Sequence, residues 1–317
     1  MGGVGPSVKV HFRPEPGTIG GGTRQPVGTG IDLHDMHFFA EYQGRLEAIF
    51  EKRILLIVGA TRWGTAWVQQ CLDAHPNACA KGEGHFTDVL FPKIAKAVDE
   101  YNAESEKIGN RLQLAGLAGN AAGCTVDDVD HLLRTAVALM LNRWIGDAAV
   151  TCIVEKTPEH VLGLDLLNRI LPEAAIVHVV RDGRDEAVSA WEFNLGISRG
   201  EFPRQFPTFS GFAKEFGSAW SRSVGAAKTF GRRHRHRYLE VRCEDLVDNP
   251  DAPVASLFDF AGLGHDEDVR RYCMDLAWDD SPLDIEPGIW QTSFDDDAHA
   301  AFLRDGGELL KLLGYHR

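Results

Sequence analysis

Two glycines, Gly59 and Gly64, bracket the segment of this 317-residue sequence most suited to chemistry, Gly59-Ala60-Thr61-Arg62-Trp63-Gly64-Thr65. It follows the apolar run Ile54-Leu55-Leu56-Ile57-Val58 and precedes a helical pattern carrying Trp67, Val68, Cys71 and Leu72. A loop that leaves a strand and opens a helix offers backbone N–H groups and the positive end of the helix, and so forms a cradle for an anion. A loop built to hold ATP would continue with a lysine for the β/γ-phosphates and a Ser or Thr for magnesium. Thr65 and Ala66 stand there instead, and the positive charge comes from Arg62 inside the loop. The expected ligand is an anhydride handled without an obligatory metal.

Further cations occur where strands are expected to end. Lys156 closes Cys152-Ile153-Val154-Glu155, and Arg181 closes Ala175-Ile176-Val177-His178-Val179-Val180, with Ser189 eight residues on in a helical segment. An arginine fork matches a tetrahedral oxyanion, and a serine supplies a directed donor. Short strands are also expected at Asn77 to Lys81 and Tyr238 to Val241. Helices are expected from Asp32 to Phe50, from Thr125 to Ile145 with a Thr125/Asp128 capping box, from a Thr157 N-cap to a point before Pro172, and beyond Arg181 through Trp191 and Phe193. Strands alternating with helices predict an α/β fold, a doubly wound, mostly parallel sheet flanked by helices and resembling the P-loop nucleotide-binding architecture. Ligands of such sheets bind outside the carboxyl ends of the strands. A Gly/Pro-rich arm and leading helix are expected over residues 1–52, and a single α/β domain over 53–317.

Three blocks in this order resemble the sulfotransferases that use 3′-phosphoadenosine 5′-phosphosulfate (PAPS). Val58 to Trp67, with Ala74-His75-Pro76 and Gly82-Glu83, is similar to their 5′-phosphosulfate loop. Glu155-Lys156-Thr157-Pro158, Leu171-Pro172 and Val179-Val180-Arg181-Asp182-Gly183-Arg184-Asp185 with Ser189 resemble the 3′-phosphate-binding strand and helix. Val241-Arg242-Cys243-Glu244-Asp245-Leu246 with Asn249-Pro250 resembles a late strand, and Gly288-Ile289-Trp290 ahead of Leu313-Gly314-Tyr315 resembles the C-terminal segment of bacterial members. Trp63 and Ala66 depart from the family, which places small hydroxyl residues there.

The resemblance implies PAPS as sulfuryl donor, adenosine 3′,5′-bisphosphate (PAP) as product, and no metal. It assigns Arg62 and Lys156 to the sulfuryl group and Arg62, Trp63, Gly64, Thr65, Ala66 and Trp67 to the donor's 5′ side. Arg181 and Ser189 fall to the 3′-phosphate, and Trp290 closes over the nucleotide or packs in the core. Trp67 is expected either to stack on adenine or to pack inside. Glu83 is the expected general base with His85 as its rival, since either side chain can take the acceptor's proton. His75 is read as packing or capping. The acceptor expected is a hydroxyl, or an amine, of a small metabolite or glycan, bound by variable loops near 86–124 and 195–216.

A net charge of −13 argues against duplex nucleic acid or an anionic membrane as partner. Thirteen Asp and Glu between Gly264 and Glu308 face only three arginines, and that stretch is read as solvated surface. The basic run Arg232 to Arg237 lacks interleaved aromatics and is read as a solvated helix end. Six cysteines without paired spacing indicate free thiols and a cytoplasmic location. The alternatives to a sulfotransferase are a P-loop nucleotide kinase, against which Thr65 and Ala66 argue, and a non-catalytic nucleotide-binding protein on the same fold.

Overall fold

Five strands form one parallel sheet in the order β2-β3-β1-β4-β5: β1 Arg53–Gly59, β2 Ala78–Lys81, β3 Cys152–Lys156, β4 Ala175–Val180 and β5 Tyr238–Arg242. The computed structural model describes residues 36–59, 64–118, 123–278 and 287–315. Arg62 and Trp63, with Ala60 and Thr61, lie outside the described residues, as does the arm to residue 35. β1, β3 and β4 fall on the apolar runs, and β2 and β5 on the two short segments expected at Asn77 to Lys81 and Tyr238 to Val241.

The central strands have apolar residues at nearly every position because both sheet faces are covered. Leu55 and Ile57 of β1 face one layer with Val154, Val177 and Val179, whereas Ile54, Leu56 and Val58 face the other with Ile153 and Ile176. Each fully buried Leu, Ile or Val side chain stabilises the fold by roughly 1.5–3 kcal/mol. The helices are α1 Met36–Ile49, α2 Gly64–Asp73, α3 Phe91–Leu114, α4 Val126–Ile145, α5 Leu164–Ile170, α6 Gly183–Ile197 and α7 Glu201–Gln205. They continue with α8 Phe209–Arg233, α9 Cys243–Asp248, α10 Asp251–Ala261, α11 Glu267–Trp278, α12 Trp290–Ser293 and α13 Asp296–Leu312. Helices α2, α10 and α11 cover the first face, and α4, α5 and α8 the second. A third cluster joins α6, α8 and α13 around Trp220 and Phe302. Among the described residues no helix is long and apolar enough to cross a membrane.

The chain divides into two compact units, Met1–Tyr42 and Gln43–Arg317. That boundary falls ahead of the expected break at 52/53, and Leu46 and Ile49, in the second half of α1, are buried within the larger unit. The Thr125 capping box opening α4 forms as expected, with Thr125 Oγ1 accepting the Asp128 N–H and Asp128 accepting that of Thr125.

Three local expectations are corrected. Thr157 stands at the N-cap position with Pro158 after it, as expected, but its hydroxyl donates to Glu155 Oε1 and makes no capping bond, and the segment it opens is 3₁₀, Pro158–Gly163, with α5 beginning only at Leu164. Residues 86–124 are largely not a loop, because a π-helical turn at 86–90 leads into the 24-residue α3. Arg237, at the end of the basic run, is structural, since its guanidinium donates to the Pro172 and Ala174 carbonyls and to Asn168 Oδ1. His75 packs as expected, 4% exposed, with its ring edge toward Phe258 and Nδ1 accepting the Asn77 N–H.

The strand order places β1 between β3 and β4, where the direction of winding reverses and α/β sheets bind ligands. Gly59 ends β1 at φ +115°, and a Cβ there would lie 2.2 Å from the Val179 carbonyl oxygen and 2.7 Å from the His178 ring. The backbone collision leaves no room to adjust. Gly59→Ala is therefore expected to destabilise the fold by at least about 2 kcal/mol, through strain at positive φ added to overpacking. Chemical denaturation checks this, and a variant within 0.5 kcal/mol of wild type, about the effect of a surface change, would contradict it.

Candidate active site

The carboxyl ends of the strands carry Gly59 at the end of β1 with Gly64 opening α2, Glu83 and His85 after β2, Lys156 ending β3, Arg181 after β4 and Glu244 after β5. Gly64 opens α2, and a Cβ on it would sit 2.4 Å from Cys243 Sγ and 2.5 Å from Val179 Cγ1. The helix start is thus packed directly onto β4 and α9. Thr65 is buried in the first turn of α2, ahead of Ala66.

Glu83 and His85, the two rivals for the base, are in contact. Lys156 Nζ donates to Glu83 Oε1, and His85 Nε2 lies 3.1 Å from Glu83 Oε2. His85 Nδ1 lies 2.8 Å from Asp88 Oδ2. An imidazole with a carboxylate on each nitrogen is best satisfied as the imidazolium, because the neutral ring has a single N–H. Burial alone would lower the His85 pKa, but the Asp88 hydrogen bond and the charges of Asp88, Glu83 and Glu159 outweigh it and raise it. Glu159 is itself pushed up by burial, with the Glu83 and Asp88 charges acting in the same direction. His85 adopts a left-handed backbone at φ 47°, ψ 45°. That conformation costs a non-glycine residue roughly 1–2 kcal/mol, and it is held by the His85 N–H donating to Thr157 Oγ1.

The second half of the site surrounds Arg181, which is 1% exposed. Its Nη1 donates to Ser189 Oγ at 3.1 Å, while Nε and Nη2 have no hydrogen-bond partner among the described residues. A buried guanidinium with two free donors is a strong anion site, because unpaired buried donors are costly until a ligand satisfies them. Two nearby carboxylates take their hydrogen bonds from other groups. Asp182 takes a two-pronged bond from Arg184, at 3.0 and 2.6 Å, and Asp185 accepts the Gly288 and Trp290 N–H groups at 2.8 and 3.0 Å. Burial raises the Asp185 pKa, although those two N–H groups pull it down.

Trp290 is brought to this cluster, its ring stacked 3.7 Å from the Arg184 guanidinium carbon and 5.2 Å from the His299 ring. It is half-buried at the rim. Trp67 lies elsewhere: it is 3% exposed in the core against β1 and β4, so the packing alternative describes it. Arg242 Nη1 donates to the Leu313 carbonyl and lies over the Tyr315 ring, while Glu244 accepts the Asp182 N–H and the Tyr315 hydroxyl. The late strand motif and the C-terminal motif therefore touch, behind Arg181.

Sequence reasoning assigned no role to Asp88, Glu155, Asp185 or Glu244. Glu155, Asp185 and Glu244 lie within the quoted motifs, but their function is to hold backbone N–H groups, and residue type alone does not signal that. Asp88 follows His85 by three residues, a spacing that becomes a contact only once the 86–90 turn is known to be helical.

The model of a sulfotransferase family matches residues 55–267. The chain is 29% identical over 162 residues to protein-tyrosine sulfotransferase 1 of Homo sapiens, covering 51% of this chain and 38% of that one. It is 26% identical over 171 residues to the omega-hydroxy-beta-dihydromenaquinone-9 sulfotransferase Stf3 of Mycobacterium bovis, covering 52% and 42%. A protein of Aquifex aeolicus of undescribed activity shares 23% identity over 227 residues, 70% of this chain and 27% of that one. The chain spans only about a quarter to two fifths of the length of these relatives. Among solved structures, the sulfotransferase STF9 of Mycobacterium avium superposes with a TM-score of 0.50 at 14% identity, over 87% of this chain and 80% of that one, a likeness of fold. Because the family model extends over two thirds of the sequence and includes both halves of the site, this chain belongs to the sulfotransferase family.

Proposed function

We propose that this chain transfers a sulfuryl group from PAPS to a hydroxyl, or an amine, of a small metabolite or glycan acceptor, without a metal. One observation carries the reading. A buried arginine with two nitrogens unpartnered among the described residues and a lysine–carboxylate pair stand at the ends of β4 and β3, the two strands that flank β1. Arg181 and Ser189 would hold the 3′-phosphate, and the N-terminus of α2 with Arg62 would hold the phosphosulfate.

In the transfer the sulfur–oxygen bond to the donor phosphate breaks and a bond to the acceptor oxygen forms, while the acceptor's proton passes to Glu83. Charge grows on the departing phosphate oxygen, and cations stabilise it. Lys156 has a double role in this scheme. In the resting protein its ammonium occupies Glu83 Oε1, and a carboxylate so occupied is a poor proton acceptor. A lysine drawn toward the donor's negative charge leaves that oxygen free, so donor binding prepares the base. His85, braced by Asp88, keeps Glu83 oriented meanwhile.

Differential scanning fluorimetry tests the donor assignment. PAP at about 100 times its Kd should stabilise the fold by about 2.7 kcal/mol, without added metal. Adenosine 5′-monophosphate lacks the 3′-phosphate for Arg181 and Ser189 and should shift the transition much less. Equal shifts for the two nucleotides, or a magnesium requirement, would overturn the assignment and favour a kinase-like site.

A further inference from the structure

Glu155 is wholly buried at the end of β3, and a carboxylate in that position must be held by hydrogen bonds to be tolerated. Its Oε1 accepts the Gly84 N–H at 2.8 Å and the Thr157 hydroxyl. Thr157 Oγ1 in turn accepts the His85 N–H at 3.3 Å. Behind them His160, also wholly buried, meets Thr87 Oγ1 through Nδ1 at 2.8 Å and brings Nε2 to 3.4 Å from Glu155 Oε2. Phe86 stacks on the His160 ring at 5.4 Å. Residues 84–87 are thus fastened one after another to β3 and the segment that follows it. Lys156 alternates to the opposite side of the strand from its two neighbours and reaches Glu83.

We infer that Glu155 is a positioning residue that sets the Glu83–His85 pair through the Gly84 peptide and the Thr157 hydroxyl. The inference rests on the reading of Glu83 as the proton acceptor. Glu155 needs no contact with substrate. Its carboxylate fixes the turn in which His85 takes its left-handed conformation, and that conformation allows the imidazole to bridge Glu83 and Asp88.

The test follows the His85 ring resonance against pH in the full-length chain with ¹³C-labelled histidine, alongside PAP affinity. The charged groups facing that ring are Glu83, Asp88 and Glu159, with Lys156 on the far side of Glu83. In the wild type His85 should titrate above an unpaired imidazole. Glu155→Gln retains an oxygen that can accept both hydrogen bonds and should keep that titration. Glu155→Ala should return it toward the unpaired range with PAP affinity unchanged. Sulfuryl turnover of Glu155→Ala should fall up to about 10²-fold, as expected for small misplacement of a reacting group, and recover in Glu155→Gln.

Identical behaviour of the Gln and Ala variants would show a charge effect and overturn the positioning role, as would wild-type titration in Glu155→Ala. If Glu155→Ala does not fold, Thr157→Val removes the bridging hydroxyl alone. It should shift His85 in the same direction, and an unshifted His85 in that variant overturns the inference. If the base assignment itself is wrong, Glu83→Gln retains turnover while the His85 titration still reports on Glu155, so the two failures are separable.

Discussion

Glu83→Gln lowers sulfuryl turnover by roughly 10²–10⁴-fold, the contribution of a positioned general base, and leaves PAP affinity essentially unchanged. Glutamine keeps the shape of the side chain, and its single oxygen can still accept from Lys156 while its amide N–H donates to the Nε2 of a neutral His85, so the loop should hold its position. It cannot take a proton near neutral pH. The measurement uses labelled PAPS with an acceptor found by screening hydroxyl and amine compounds, beside PAP binding by calorimetry.

The pH dependence gives an independent sign. A base works only when deprotonated, so wild-type turnover should carry an acidic limb. Glu83→Gln should lose that acidic limb together with the rate. His85→Asn should be milder, because it removes the brace on Glu83 and leaves the carboxylate itself. An unchanged profile in Glu83→Gln removes Glu83 from the mechanism, and a larger loss in His85→Asn transfers the role to His85. An amine acceptor attacks before it loses its proton, and would leave Glu83→Gln partly active.

The sheet was legible because its signal is local: apolar runs give the three central strands, which contain almost nothing else, and two shorter mixed segments give the edges. The Arg181–Ser189 contact was legible for a similar reason, since the two lie eight residues apart across one strand-to-helix turn and meet at 3.1 Å. Contacts across long separations were not. Glu83 and Lys156 are 73 residues apart in sequence, and Asp185 and Gly288 are 103 apart, so each pairing depends on the assembled sheet edge. Thr157 shows how tertiary structure overrides a local rule. A Thr-Pro pair reads as a capped helix start and does open a helical segment, but the Thr157 hydroxyl accepts the His85 N–H and donates to the buried Glu155 instead of capping it. The 86–124 segment was read as acceptor loops because its helix, α3, is polar on most of its surface and its residues carry no motif.

Arg181→Met should separate ligand binding from stability by moving them in opposite directions. With two of its nitrogens unpartnered among the described residues in a site 1% exposed, the guanidinium is costly to the ligand-free protein, since each unsatisfied buried donor costs about 1–3 kcal/mol. Methionine approximates the volume of the side chain without the charge. The variant's ligand-free melting temperature should therefore stay level or rise, by roughly 2–4 °C for each kcal/mol relieved in a domain of this size. PAP binding should weaken by roughly 10²–10³-fold, because a desolvated charge pair with a phosphate is worth on the order of 3–4 kcal/mol. Adenosine 5′-monophosphate, which has no 3′-phosphate, should bind the variant and the wild type alike. A general packing defect would lower stability and weaken both nucleotides together. A variant that kept PAP affinity within threefold, well below the tenfold that 1.4 kcal/mol represents, would place the 3′-phosphate elsewhere. The Arg184 fork is the next cation along the chain, and Asp182 already holds it. Recruiting it would break that pair and expose Trp290, and a change in tryptophan fluorescence on PAP binding would detect this.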